Sequence, residues 1–155
     1  MEVGDKFPEF DLCDENGESF DSGSLGGLRY VIYFYSKDGT PGCTKEASEF
    51  SALFPKFMLR NMPVIGVSRD SEKAHAKFRA DNALRIKLLS DPSHELTEKA
   101  GAWGKKVLYG KETEGTVRST FIVGRDGTVE AAWKSVKVAG HAEKVLEKAI
   151  ALFRA

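Results

Sequence analysis

The chain has 155 residues, of which 41% are hydrophobic and 30% charged, and 23 basic residues balance 23 acidic ones. This length and composition predict one globular domain, residues 1–155, and the lack of excess positive charge argues against nucleic acid or an anionic membrane as a partner. No apolar run approaches the ~20 residues of a membrane helix, and the N-terminus lacks a signal-peptide pattern. We therefore expect a cytoplasmic protein, in a reducing compartment where two cysteines do not form a disulfide framework.

The first half of the chain alternates predicted strands with predicted helices. In chain order these are a hairpin around Asn16-Gly17, a strand at 28–35, a helix at 43–60, a strand at 62–68 and a helix at 71–82. Asn-Gly between short segments is typical of a two-residue hairpin turn. The two strands are almost continuously apolar, which is typical of a parallel sheet covered on both faces. We expect Pro55 to interrupt or kink the first helix and Ser71 to cap the second.

The second half is predicted to complete a mixed sheet. Its elements are a strand at 86–90, a helix from Asp91-Pro92 to about residue 100, strands at 117–123 and 129–133, and a helix at 141–153. Segment 103–115 holds three glycines and has no firm period, so we interpret it as a long loop and its Lys105-Lys106 pair as solvated. Strands that alternate with helices predict the α/β class with parallel crossovers.

A cysteine stands at the predicted start of the first helix. If Thr40 is the N-cap and Pro41 the first helical residue, Gly42 is the second and Cys43 the third. Backbone N–H groups in the first turn have no helical acceptor, and the helix dipole there favours negative charge. Both effects favour the nucleophilic thiolate. The turn also follows the end of a strand, where sites gather in open α/β sheets.

The alternative interpretation of Cys43 is a small buried hydrophobic residue. A reactive thiolate needs a cation, and Arg118 at the head of an apolar strand is the candidate, although a solvated sheet edge would also explain it. His75, His94 and His141 are far apart on helices, where we expect them at the surface, so neither zinc nor a Cys-His hydrolase is indicated. The sequence contains no Cys-x-x-Cys, no P-loop and no Gly-x-Gly-x-x-Gly.

Segment 33–47, with Thr40-Pro41-Gly42-Cys43-Thr44 at its centre, resembles the active-site segment of peroxiredoxins. The closest likeness is to the bacterioferritin comigratory protein, or Q-type, subfamily, and it extends over nearly the whole chain. The other matching motifs are Phe10-Asp11-Leu12 with Asn16-Gly17, Val64 to Ser68, Trp103-Gly104 with Tyr109-Gly110, Arg118 to Phe121 with Asp126-Gly127, and Val136 to Val138 with Gly140 to Ala142. The resemblance implies a thioredoxin-like fold, a mixed central sheet flanked by helices, with an N-terminal β-hairpin extension.

The resemblance also implies an activity and roles. The family reduces hydrogen peroxide and organic hydroperoxides with neither metal nor bound cofactor, and a thiol reductant such as thioredoxin or glutaredoxin recycles it. Cys43 would be the peroxidatic nucleophile and pass through a sulfenic acid, Thr40 would hydrogen-bond the thiolate and the peroxide, and Arg118 would hold the thiolate and polarise the O–O bond. We expect Glu46 to support the site by hydrogen bonding, Pro41 and Gly42 to shape the turn, and the protein to be a monomer or weak dimer.

Two positions depart from the family pattern. Ser36 stands where the family has a proline that helps to shield the thiolate, and Ser48 stands where many members have a resolving cysteine. Cys13, in the hairpin, is the only other thiol. We therefore predict a one-cysteine enzyme recycled by an external thiol. The alternatives are a cycle in which Cys13 resolves Cys43, within the chain or across a dimer, and a peroxide-sensing thiol protein on the same fold.

Overall fold

A mixed seven-stranded sheet organises the computed structural model, which describes residues 1–155 apart from the side chain of Leu108. The strands are β1 Asp11–Asp14, β2 Ser19–Asp21, β3 Tyr30–Phe34, β4 Val64–Ser68, β5 Lys87–Ser90, β6 Trp103–Leu108, β7 Lys111–Thr116, β8 Ser119–Val123 and β9 Val129–Trp133. The helices are α1 Pro41–Met58, α2 Glu72–Asp81, α3 Glu95–Lys99 and α4 His141–Arg154, and Ser22–Leu25 form one 3₁₀ turn. The predicted α/β class is confirmed.

The strand order follows from the connections between strands. It runs β2-β1-β5-β4-β3-β8-β9, and only the β3–β4 and β4–β5 pairs are parallel. These are the pairs joined by α1 and α2, because a parallel connection needs a crossover. The β1–β2 hairpin adds antiparallel to β5 at one edge, and β8–β9 adds antiparallel to β3 at the other. The N-terminal hairpin extension is therefore confirmed.

Two hydrophobic layers enclose the sheet. All five residues of β3 are buried, and their side chains alternate between the layers. Val31 and Tyr33 pack with the apolar faces of α1, α2 and α4, whereas Ile32 and Phe34 pack with the N-terminal segment and α3. This coverage of both faces explains why β3 is continuously apolar. The same packing holds in place the end of β3 that leads into the Cys43 loop.

The helix boundaries correct two predictions. The first helix is not interrupted at Pro55 but continues to Met58. The third begins at Glu95 rather than at Asp91-Pro92. Asp91 nevertheless caps this helix, although a turn separates it from the first helical residue. Its buried carboxylate accepts hydrogen bonds from the Thr97 N–H at 2.9 Å and the Thr97 hydroxyl at 2.7 Å.

The predicted long loop at 103–115 is wrong. Strands β6 and β7 pair antiparallel through six residue pairs and form a second, two-stranded sheet. Tyr109 and Gly110 join them with φ of 53° and 76°, and positive φ at both central residues is typical of the tightest hairpin turns. Tyrosine in place of the usual asparagine or aspartate concealed this turn in the sequence.

The predicted surface location of the helical histidines is also wrong for two of the three. His75 is 0% exposed, and its Nδ1 and Nε2 lie 2.6 Å from the Asp38 carboxylate and 2.9 Å from the Leu89 carbonyl. His141 is buried against the Thr120 hydroxyl, and burial lowers its pKa to about 4.

None of the described helices combines the length and apolar character needed to span a bilayer.

Candidate active site

The loop between β3 and α1 places Cys43 as the spacing predicts. Thr40 is the N-cap of α1, Pro41 is its first residue, and Cys43 is therefore its third. The first helical hydrogen bond runs from the Thr44 N–H to the Thr40 carbonyl, at 2.9 Å, so the N–H of Cys43 has no acceptor within the helix. The cysteine is 1% exposed, although Pro41 and Gly42 just before it are exposed. The thiol thus lies beneath the surface at a helix N-terminus.

Arg118 supplies the cation beside this thiol. It directly precedes β8, and the antiparallel pairing of Ser119 with Phe34 brings it to the end of β3. Its Nη2 lies 3.1 Å from the Cys43 Sγ, and its Nη1 lies 2.5 Å from Glu46 Oε1. One guanidinium therefore bridges the thiol and a carboxylate, and its planar fork suits such a double contact.

Glu46 anchors the other end of Arg118. One helical turn after Cys43, it is 1% exposed, and its Oε2 has no hydrogen-bond partner among the described residues. Burial raises the pKa of Glu46 to about 7 although the charge of Arg118 opposes the shift. The carboxyl group therefore changes its charge near neutral pH.

Thr40 departs from the expectation in one respect. Its side chain makes no capping hydrogen bond, and its Oγ1 instead donates to the Lys37 carbonyl at 2.8 Å. With its hydrogen directed there, the hydroxyl presents lone pairs, so it can accept a hydrogen bond from a peroxide but does not donate to the thiolate. A β carbon at Gly42 would stand 3.5 Å from Arg118 Nη2, so the turn runs close against the guanidinium.

A buried network fixes the loop that carries these residues. Asp38 accepts a hydrogen bond from the Tyr35 hydroxyl at 2.6 Å, and its N–H donates to Asp70 at 3.1 Å. Its second oxygen faces His75 of α2. Burial opposes the charged ring, but the hydrogen bond and charge of Asp38 raise the pKa of His75. Sequence reasoning missed this pair, because only the fold brings two residues 37 positions apart into contact.

The β6–β7 hairpin lies at the edge of the same site. The Val117 N–H donates to the Ala102 carbonyl at 2.8 Å, which ties the start of β6 to the segment before Arg118. From β6, the Lys106 Nζ donates to the Ser36 hydroxyl at 3.4 Å. Of the two lysines interpreted as solvated, Lys105 is exposed and Lys106 is half-buried. Successive side chains of a strand point to opposite faces, so Lys105 and Lys106 lie on opposite faces of the hairpin. This difference was not predicted, because the segment was interpreted as a loop.

Cys13 is not brought to the site. It lies on β1, and β5 and β4 stand between that strand and β3, which at about 4.8 Å per strand separates the two strands by roughly 14 Å. The hydrogen bond that its thiol donates to Glu72, together with burial and nearby acidic charges, raises the pKa of Cys13. Both cysteines are free thiols. The described residues contain no group of three or more potential ligands that would hold a metal ion.

Comparison with known proteins identifies the family. The AhpC/TSA family matches residues 3–132. The chain belongs to this family. It is 38% identical to peroxiredoxin Bcp of Bacillus subtilis over 147 residues, which cover 95% of this chain and 94% of the relative. The relatives make it a peroxiredoxin of the Bcp, or Q-type, group and a thiol-dependent peroxidase.

Solved structures agree with the fold. PrxQ of Xylella fastidiosa superposes with a TM-score of 0.92 at 36% identity, covering 97% of this chain and 96% of that one. The bacterioferritin comigratory protein of Xanthomonas campestris gives a TM-score of 0.89 at 40% identity, covering 93% and 92%. The thioredoxin-like peroxiredoxin fold is therefore confirmed.

Proposed function

We propose that residues 1–155 form one catalytic domain in which the Cys43 thiolate reduces hydrogen peroxide and organic hydroperoxides. The contact between Cys43 Sγ and Arg118 Nη2, at 3.1 Å, carries this proposal. The Xanthomonas campestris protein has alkyl peroxide reduction activity, and we extend that substrate class to this chain. No cofactor is required, because the thiolate supplies both electrons.

The reaction begins with attack of the Cys43 thiolate on the terminal oxygen of the hydroperoxide. An S–O bond forms as the O–O bond breaks, so Cys43 is oxidised to a sulfenic acid and the substrate leaves as an alkoxide that takes up a proton. Arg118 and the N–H of Cys43 stabilise the negative charge in the transition state. Thr40 accepts the hydrogen bond of the peroxide hydroxyl, Glu46 holds Arg118, and Pro41 with Gly42 keeps the helix start in place.

Recycling completes a one-cysteine cycle. An external thiol condenses with the sulfenic acid, forming a mixed disulfide and releasing water, and a second thiol then releases Cys43. We assign this role to thioredoxin or another cytoplasmic thiol, acting on a monomer or weak dimer. The separation of β1 from β3, and the raised pKa of Cys13, support an external reductant rather than Cys13.

Peroxide consumption by Cys43→Ser tests the proposal. The variant should consume no peroxide when a small dithiol is the reductant, whereas Cys13→Ser, the matched thiol variant, should retain turnover. Retained turnover in Cys43→Ser would refute the mechanism. Slow oxidation of Cys43 in the wild-type protein, without turnover, would instead support a peroxide-sensing role on the same fold.

A further inference from the structure

A second cation, Lys106, lies at the edge of the peroxide site without a carboxylate partner. In the part of the chain that the structure describes, it forms no ion pair within 4.0 Å, whereas its neighbour Lys105 contacts Glu112 at 3.2 Å. Withdrawing a charge from water costs free energy unless a partner compensates it, and the only partner of Lys106 among the described residues is the neutral hydroxyl of Ser36. The position of Lys106 therefore calls for an explanation in terms of what binds there.

The pleat of the β6–β7 hairpin explains why this lysine stays unpaired. Directly opposed residues of an antiparallel pair share a face. The register pairs Lys105 with Glu114, and Val107 with Glu112, so both acids of β7 lie on the Lys105 face. Lys106 lies on the other face, opposite Thr113. That face carries no carboxylate along the hairpin.

The stem of Lys106 is directed toward the catalytic loop. It crosses Gly115, where a β carbon would stand 3.6 Å from Cδ and 4.0 Å from Nζ. The ammonium group then reaches the hydroxyl of Ser36, two residues beyond the end of β3. Burial lowers the pKa of Lys106, the positive charge of Arg118 lowers it further, and the Cys43 thiolate opposes the shift. All three charges therefore act on one another across the site.

Lys106 differs from Arg118 in the charge that it leaves free. Arg118 is already shared between the thiolate and Glu46, whereas the positive charge of Lys106 meets only a neutral hydroxyl. We propose that Lys106 determines substrate preference by binding the anionic group of hydroperoxides that carry a carboxylate, while their peroxide group reaches Cys43. This inference rests on the proposed peroxidase function and names the substrate class of the same site.

A pair of substrates that differ only in charge tests the inference. The probes are a short hydroperoxide with a carboxylate and its methyl ester, neither of which forms micelles. The wild-type protein should reduce the acid with a kcat/KM about fivefold above that of the ester, the factor that a contact of roughly 1 kcal/mol gives. Added salt should reduce this ratio, because it screens a partly exposed charge.

Variants of Lys105 and Lys106 distinguish a direct contact between Lys106 and the substrate carboxylate from the effect of the hairpin's overall positive charge. Lys106→Met should bring the acid-to-ester ratio close to one, Lys106→Arg should retain a preference for the acid, and Lys105→Met is the matched control that should keep the wild-type ratio. A wild-type ratio of one, or a ratio that survives in Lys106→Met, would overturn the inference. An equal loss on both substrates would assign Lys106 to the thiolate instead and would also overturn it. Failure of the peroxidase function is distinguishable, because Cys43→Ser would then still consume both hydroperoxides.

Discussion

Arg118 connects two acidic groups of the site, the thiol of Cys43 and the carboxyl group of Glu46. It contacts Cys43 through one nitrogen and Glu46 through the other. The Cys43 sulfur is therefore contacted by a side chain whose orientation is itself fixed by a buried carboxylate. In the proposed reaction, this preorganisation would avoid rearrangement when charge develops on the peroxide. Substitution of Arg118 tests its role beside the Cys43 sulfur, and substitution of Glu46 tests the role of the buried carboxyl group.

Substitution of Arg118 by methionine should lower kcat/KM for hydrogen peroxide about 10²–10³-fold, as removal of one preorganised donor does elsewhere. Arg118→Lys should recover only part of the rate, since an ammonium cannot span both acceptors. Arg125→Met, at an exposed position, is the control. An unchanged rate in Arg118→Met would exclude its assigned role.

Glu46 should make the stability of the fold depend on pH. Because its pKa is raised from 4.5 to about 7, the native state holds a proton that the unfolded chain has released, and stability falls as pH rises across that interval. The loss should reach up to about 3 kcal/mol, and Glu46→Gln should abolish it. Chemical denaturation at several pH values measures this, with the exposed Glu143→Gln as the control. A pH dependence retained in Glu46→Gln would contradict the assignment.

At the residue scale, the sequence predicted those features that local chain order determines. Thr40, Pro41 and Cys43 occupy the predicted positions because helix starts follow short-range rules. Arg118 was predictable from its place at the head of an apolar strand. The direction of the Thr40 hydroxyl was not, because it depends on how the preceding turn presents the Lys37 carbonyl.

At the scale of elements, α2 supports the catalytic loop from behind. The ring of His75 lies between the Asp38 carboxylate and the Leu89 carbonyl, so α2, β5 and the Cys43 loop meet at one buried group. A carbonyl only accepts hydrogen bonds, so Nε2 carries a proton. With a second proton at Nδ1, the ring forms a buried ion pair with Asp38. The pair therefore connects the fold to the position of Cys43.

Breaking this pair should destabilise the protein in a pH-dependent way. His75→Gln should lower the free energy of unfolding by about 3 kcal/mol, because it leaves a buried carboxylate unpaired. Since the pKa of His75 is raised above 6.5, its contribution is complete below pH 6.5 and disappears as pH rises through the native pKa. The cost of the substitution should shrink accordingly in denaturation experiments on the alkaline side.

The double variant Asp38→Asn/His75→Gln provides the control for this prediction. If the two residues act as a pair, it should be less unstable than the sum of the single variants, because neither substitution then leaves an unpaired charge. Strict additivity, or a cost for His75→Gln that does not change with pH, would argue against the ion pair. Peroxide turnover should fall in both single variants, since the loop that positions Cys43 loses its support.

At the same scale, the β6–β7 hairpin, which carries Lys106, was not predicted from the sequence. A strand with charged residues on both faces, such as β7, has no hydrophobic alternation to reveal it. Its pairing with β6 depends on a turn at Tyr109-Gly110, in which tyrosine stands in place of the usual asparagine or aspartate. By contrast, β3 and β4 were predicted because burial on both faces leaves a continuous apolar run.

At the scale of the whole molecule, the strand order decides which thiols can meet. The sequence predicted alternating strands and helices, and with them the parallel crossovers, but not that β5 and β4 would separate β1 from β3. In chain order, β2 and β3 are the only strands that lie between Cys13 and Cys43. In the sheet, however, β1, which carries Cys13, and β3, which leads into the Cys43 loop, are three strand positions apart, since the N-terminal hairpin joins β5 rather than β3.

The oxidised protein should therefore carry no Cys13–Cys43 disulfide. A disulfide requires Cα atoms within about 7 Å, about half the separation of roughly 14 Å between β1 and β3. After one equivalent of peroxide, peptide mass mapping with a sulfenic acid trap should find the oxygen on Cys43 and a free thiol at Cys13. Cys13→Ser should match the wild-type turnover with a small dithiol. A linked Cys13–Cys43 peptide, or a disulfide dimer on a non-reducing gel, would instead establish a two-cysteine cycle and require the strand edge to open.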